Sequence, residues 1–213
     1  MHSYSDPPFI PTQSHWVDLL AISDKFQIPG GTLRAQEALE NGLPEHMSPA
    51  LQLHLGRKYG YPRWVDMGAS RVVHTLMTRF TPLDLELLGA GSVHLLLKYH
   101  FRLCAHRQRL SHALPTQIGP HSPSCIDGKS CGLAWYTICN QLSSMLLRPE
   151  EPLSDRSLLE ALQGRRHDSS SSMASMSPSC IAHVIQACER ALSGGKDDQL
   201  TNSTISSLRT TPN

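Results

Sequence analysis

The side chains with the most capacity for chemistry in this chain are its six cysteines and twelve histidines. Four of them stand in two short-spaced sets. Cys125 and Cys131 flank the polar loop Ile126-Asp127-Gly128-Lys129-Ser130, and Cys180 and His183 lie two residues apart much later in the chain. Thiolate and imidazole are ligands that zinc prefers, and two pairs from distant segments would pin the segments together. The spacing speaks against this, because five residues separate Cys125 from Cys131, where compact zinc sites usually leave about two to four. His121 and Cys139 offer substitute ligands, so spacing selects no set. No metal ligand and no cofactor is assigned from the sequence, and free thiols are the expectation.

Catalytic chemistry has less support. His54, His74, His94, His100 and His106 are scattered over predicted helices, where a histidine is ordinarily a surface or hydrogen-bonded core residue. Cys104 stands near Arg102, His106 and Arg107, cations that lower a thiol pKa, but no orienting acid follows. The sequence contains no Gly-rich phosphate loop, no GxSxG and no HExxH. No catalytic or cofactor-binding residue is assigned, and the chain is expected not to be an enzyme.

The elements that must position these residues read as helices. Ser48-Pro49 is a start signal, Leu51, Leu55 and Tyr59 recur four apart, and Gly60 followed by Pro62 ends one helix and begins the next. That second helix is expected to align Val65, Ala69, Val72, Val73, Leu76 and Phe80. Thr81-Pro82 with Asp84 opens a third helix, which Gly89 closes. Upstream, helices are predicted over about 15–26 and 32–40, separated by Pro29-Gly30-Gly31. Downstream they are predicted over about 92–110, 131–147, 153–162 and 178–192. The resulting expectation is all-α: an irregular multi-helix bundle with short hinges, a flexible N-terminus and a disordered C-terminal tail. The segments are a lead-in over 1–14, a helical domain over 15–110, a linker over 111–130, a helical segment over 131–192 and a tail over 193–213.

Charge is segregated within a net +1. Residues 46–126 carry nine Lys/Arg against Asp66, Asp84 and Glu86, whereas residues 1–45 carry six acids and two bases. A basic middle suits an acidic protein surface or the chain's own acids, namely Asp18, Asp24, Glu37 and Glu40. The hinge at Gly60–Pro62 resembles a helix–turn–helix in outline. Arg63, Arg71 and Arg79 are eight apart, however, so each is rotated by about 80° from the last and they form no stripe along a groove. Nucleic-acid binding is the lesser alternative. The N-terminus lacks the basic and apolar regions of a signal peptide, and no apolar run reaches the ~20 residues that span a bilayer. An intracellular, cytoplasmic or nuclear, location is expected, with no membrane partner and reduced cysteines.

Several of these motifs occur together in an order seen elsewhere. Leu55-Gly56-Arg57-Lys58-Tyr59, Trp64, Thr81-Pro82-Leu83 and Leu88-Gly89 resemble the region that follows the BTB/POZ domain in a large group of fungal BTB-domain-containing proteins. The helix Trp16–Phe26, the next at Leu33–Leu39, and Cys125, Cys131, Trp135 and Pro149-Glu150-Glu151-Pro152-Leu153 extend the similarity over residues 15–190. The BTB domain itself, expected before Trp16, is missing, which reads as a truncated member or a detached C-terminal region. The resemblance implies a non-enzymatic helical scaffold for protein–protein contact. The alternatives from the residues are a zinc-stabilised helical module, built on Cys125, Cys131, Cys180 and His183, and a helix–turn–helix-like nucleic-acid binder.

Overall fold

Helix signals in the sequence convert directly into structure at several ends. In the computed structural model, which describes residues 11–41, 47–114, 121, 125–147, 155–165, 176–192 and 195–211, every regular element is helical. They are α1 (Gln13–Lys25), α2 (Pro29–Asn41), α3 (Pro49–Tyr59), α4 (Pro62–His74), a 3₁₀ turn (Met77–Arg79), α5 (Pro82–Ala113), α6 (Gly128–Leu146), α7 (Asp155–Arg165), α8 (Pro178–Leu192) and α9 (Lys196–Thr210). The chain is all-α, and no strand occurs among the described residues. It divides into two compact units, one of Met1–Val93 with Thr211–Asn213 and one of His94–Thr210. The division falls inside α5 and not in the 111–130 stretch expected to be the linker.

The first unit contains the helices with the clearest end signals. Ser48 Oγ accepts from the Leu51 N–H at 3.1 Å, and Gly60 closes α3 in the left-handed region at φ 66°. Thr81 and Asp84 cap α5 reciprocally: Asp84 Oδ2 accepts from the Thr81 N–H at 3.0 Å, and the Asp84 N–H donates to Thr81 Oγ1 at 3.2 Å. Helices α3 and α4 approach closely because each presents a glycine to the other. A Cβ on Gly56 would lie 2.7 Å from Val65 N, and one on Gly68 would lie 2.6 Å from Leu53 N, neither of which a real side chain tolerates. The core of this unit gathers Leu20, Ala35, Leu39, Met47, Leu55 and Trp64, with Trp16, Leu51 and Tyr59 packed against it.

The structure corrects the expected course of α4. Ala69, Val72 and Val73 are buried as the stripe requires, but the helix stops at His74 and Val65 and Leu76 are only half-buried. Thr75 turns to extended backbone (ψ 129°) while its hydroxyl donates to the Arg71 carbonyl at 2.7 Å, satisfying an acceptor left by the helix end. Leu76 and Phe80 therefore flank a 3₁₀ turn instead of extending the stripe. α2 also begins earlier than expected, with Pro29 at its first position and both glycines inside it. Gly31 sits against the buried Ser23 of α1, where a Cβ would collide with the serine side chain. Of the lead-in, residues 1–10 lie outside the described residues, and Thr12 already caps α1 through its N–H to His15 Nδ1 at 3.1 Å.

The second unit is built around Trp135, which is fully buried. Its core joins Leu110 and Leu114 with Ile138, Leu142 and Leu146 of α6, Leu158 and Leu162 of α7, and Val184, Ile185, Cys188 and Leu192 of α8. The expected disordered tail over 193–213 is corrected: α9 occupies most of it. Asp197, 3% exposed, receives Arg107 Nε and Nη2 from α5 at 3.3 Å each, with His106 Nε2 at 3.7 Å, and the Tyr99 hydroxyl meets Thr201 Oγ1 at 3.0 Å. Leu208 completes the contact as a fully buried side chain. Composition misled here, because a buried aspartate, a threonine hydrogen bond and a buried leucine anchor a helix rich in Ser and Thr.

Candidate metal centre

Two helix starts and the loop before one of them converge on a small group of soft ligands in the second unit. Asp127 caps α6, its Oδ1 accepting from the Lys129 and Ser130 N–H groups at 3.0 and 3.1 Å and its Oδ2 from the Ser130 hydroxyl at 2.6 Å. This cap fixes the first turn of α6 and with it Cys131, whose N–H donates to the Asp127 carbonyl at 3.1 Å. Ser177 does the same for α8, its hydroxyl accepting from the Cys180 N–H at 3.4 Å. Pro178 at the first helical position then orients Cys180.

These supports bring His121, Cys125, Cys131 and Cys180 together, with one ligand atom from each lying within 4.8 Å of the other three. His121 Nδ1 lies 3.8 Å from Cys125 Sγ and 3.6 Å from Cys180 Sγ. The backbone N–H of Ser177 donates to Cys131 Sγ at 3.4 Å, linking the start of α8 to the thiol of α6. Burial grades across the group: Cys131 and Cys180 are buried, Cys125 is half-buried and His121 is exposed. The imidazole lies against Gly128, where an added Cβ would stand 3.1 Å from His121 Cδ2. Burial pushes the Cys131 thiol up, hydrogen bonding with Cys180 and Cys125 adds to the rise, and the Ser177 N–H opposes it.

The structure brings together three of the four residues suggested as a zinc set, Cys125, Cys131 and Cys180, and leaves His183 outside the group. His183 is exposed, because Val184 and Ile185 take the buried face of α8. His121 takes its place, four residues before Cys125. Cys139 is not a substitute ligand: it is buried in the core with Cys188, whose thiol is pushed up to about 12 by burial and then by the nearby Cys139 and Glu189. Cys104 is exposed on α5. All six cysteines are free thiols. The signal that could have found the site is the pair of capped helix starts, Asp127-x-x-Ser130-Cys131 and Ser177-Pro178-x-Cys180, each placing a cysteine in a first turn where backbone N–H groups favour a thiolate.

Three basic residues of the first unit, Arg57, Arg63 and Arg71, bond within it. Arg71 donates to Gln52 Oε1 at 2.9 Å and to the Met47 carbonyl at 3.2 Å, and Arg57 donates to Ser92 Oγ at 3.1 Å. Arg63 pairs with Glu40 at 3.4 Å, and Glu40 also accepts from Trp64 Nε1 at 2.7 Å. The expected neutralisation by the chain's own acids is met at Glu40. No helix among the described residues is long and apolar enough to cross a membrane. Comparison of the chain with protein-family models, with curated proteins and with solved structures returns no match in any of the three.

Proposed function

We propose that this chain is a non-enzymatic helical module for protein–protein contact, the role implied by its resemblance to the region after the BTB domain of fungal proteins. The observation that carries this reading is the surface around the α1–α2 turn. Ile22, Phe26, Ile28 and Leu33 occur there within twelve residues and are 48–64% exposed. Single exposed apolar residues are ordinary, but four large ones along one turn are the usual mark of a surface that a partner covers. A shallow concavity beside them is lined by Asp24, Gln27, Thr32, Leu33, Gln36 and Tyr61, so the apolar residues have a polar rim.

The basic residues support a protein partner over a nucleic acid. Arg57, Arg63 and Arg71, three of the cations around the hinge between α3 and α4, already engage Ser92, Glu40 and Gln52. Phosphate contacts would have to displace these bonds. The test compares the intact chain with Phe26→Asp and Leu33→Asp, checking that helicity and melting are unchanged. Specific co-purifying protein should be lost from both variants, and binding to generic duplex DNA should be absent above roughly 100 mM salt. Equal capture by wild type and variants, or strong DNA binding that falls steeply with salt, overturns the reading.

A further inference from the structure

From the geometry of the second unit we infer that His121, Cys125, Cys131 and Cys180 bind one zinc ion, and that the ion is structural. Four soft or borderline ligands converge from three places in the chain, and the two separations from His121 Nδ1 to sulfur are close to what tetrahedral zinc requires. Zinc–sulfur bonds of about 2.3 Å and zinc–nitrogen bonds of about 2.0 Å place sulfur about 3.8 Å from sulfur and about 3.5 Å from nitrogen. The measured His121 Nδ1 distances to Cys180 and Cys125 are 3.6 and 3.8 Å, and all four ligand atoms lie within 4.8 Å of one another. Contraction of the remaining separations, none longer than 4.8 Å, would close this arrangement into a coordination shell.

The surroundings fit a zinc-thiolate centre in detail. Three thiolates and one neutral imidazole around Zn²⁺ carry a net charge of −1, which needs compensation in a half-buried site. The N-terminus of α8, whose first turn holds Cys180, supplies part of it; at α6 the Asp127 carboxylate already accepts from the Lys129 and Ser130 N–H groups. The Ser177 N–H adds a direct hydrogen bond to Cys131 sulfur at 3.4 Å, the outer contact that holds a ligating thiolate in place. His121 turns Nδ1 toward the sulfurs, so with Nδ1 ligating the ring proton sits on Nε2. With four protein ligands no coordination position is left for water or substrate, which separates this centre from a catalytic one. Binding releases the three thiol protons to solvent and changes no oxidation state.

The ion would join segments far apart in the chain. Cys125 and His121 precede α6, Cys131 belongs to α6 and Cys180 to α8, so one ion fixes the entry of α6 against the start of α8. The test is metal analysis of the intact chain purified under reducing conditions without added metal, followed by cobalt(II) titration of chelator-treated protein. The expected result is about one zinc per chain, and a cobalt spectrum with the intense visible bands of tetrahedral thiolate coordination, displaced by zinc. Cys125→Ser and His121→Ala, at the half-buried and exposed ligands, should lose at least tenfold in zinc affinity while keeping the helical content. His183→Ala and Cys139→Ser should retain the metal. Absence of both zinc and cobalt uptake, unchanged zinc affinity in Cys125→Ser, loss of metal in His183→Ala, or a disulfide among the three cysteines in non-reduced alkylated protein would each overturn the inference.

Discussion

At the scale of single residues, three buried charged groups and one half-buried histidine set the sharpest expectations. Asp197 and Arg107 are 3% and 8% exposed and face each other at 3.3 Å, so removing one partner strands a charge in the interior. Asp197→Ala should cost about 3–5 kcal/mol, whereas the exposed neighbour Asp198→Ala should stay within about 0.5 kcal/mol; urea denaturation of both checks this. Burial works against the charge of Asp84, but hydrogen bonds from Ser48 and Thr81 outweigh it and hold the carboxyl below its ordinary range. Burial, reinforced by the Arg107 charge, also pulls the His100 imidazole down, and its Nε2 has no hydrogen-bond partner among the described residues. Both shifts act in one direction. Protons bind more readily to the unfolded chain, so stability is full at neutral pH and declines as pH falls below about 6.5, first through His100 and then through Asp84. His100→Gln should flatten the dependence of the urea midpoint between pH 7 and pH 5. An unchanged slope would show that His100 does not contribute.

At the scale of elements, legibility tracked how local the determining physics is. α3 and α8 were readable to their first residues because Ser48-Pro49 and Ser177-Pro178 are local start signals, and α3 was readable to its end because Gly60 is a local stop. The end of α4 was not, since Val72, Val73 and Leu76 continue the apolar period while a Thr75 hydroxyl bond terminates the helix. α9 was not readable because its partners are Arg107 and Tyr99, about a hundred residues away. The candidate ligands were half-legible for the same reason: Cys125, Cys131 and Cys180 were visible as types, but only folding distinguishes His121 from His183. The close approach of α3 and α4 yields a further expectation. Gly68→Ala forces a methyl group against the Leu53 backbone at 2.6–2.8 Å and should destabilise the first unit by about 1–3 kcal/mol despite alanine's better helix propensity. A melting temperature that rises on this substitution would show that the helices can separate without loss.

At the scale of the whole molecule, the two units differ in what holds them. The first rests on close helix contact and aromatic packing, with Tyr61 edge-on to Trp64 at 5.2 Å; the second joins a larger apolar core to an interior ion pair and a cluster of thiols. Leu142→Ala, in the middle of that core, should cost about 2–5 kcal/mol, and hydrogen exchange should show the loss of protection concentrated in α6, α7 and α8. The Arg107–Asp197 pair also has a consequence in time. Asp197 is made 90 residues after Arg107, and at about 5–20 residues per second the ribosome needs roughly 5–20 s to cover that interval. Throughout it the arginine side chain has no aspartate to meet, so the nascent chain must keep this end of α5 open to water. The last turn of the lock is fitted only after nearly everything else in the unit has been spoken.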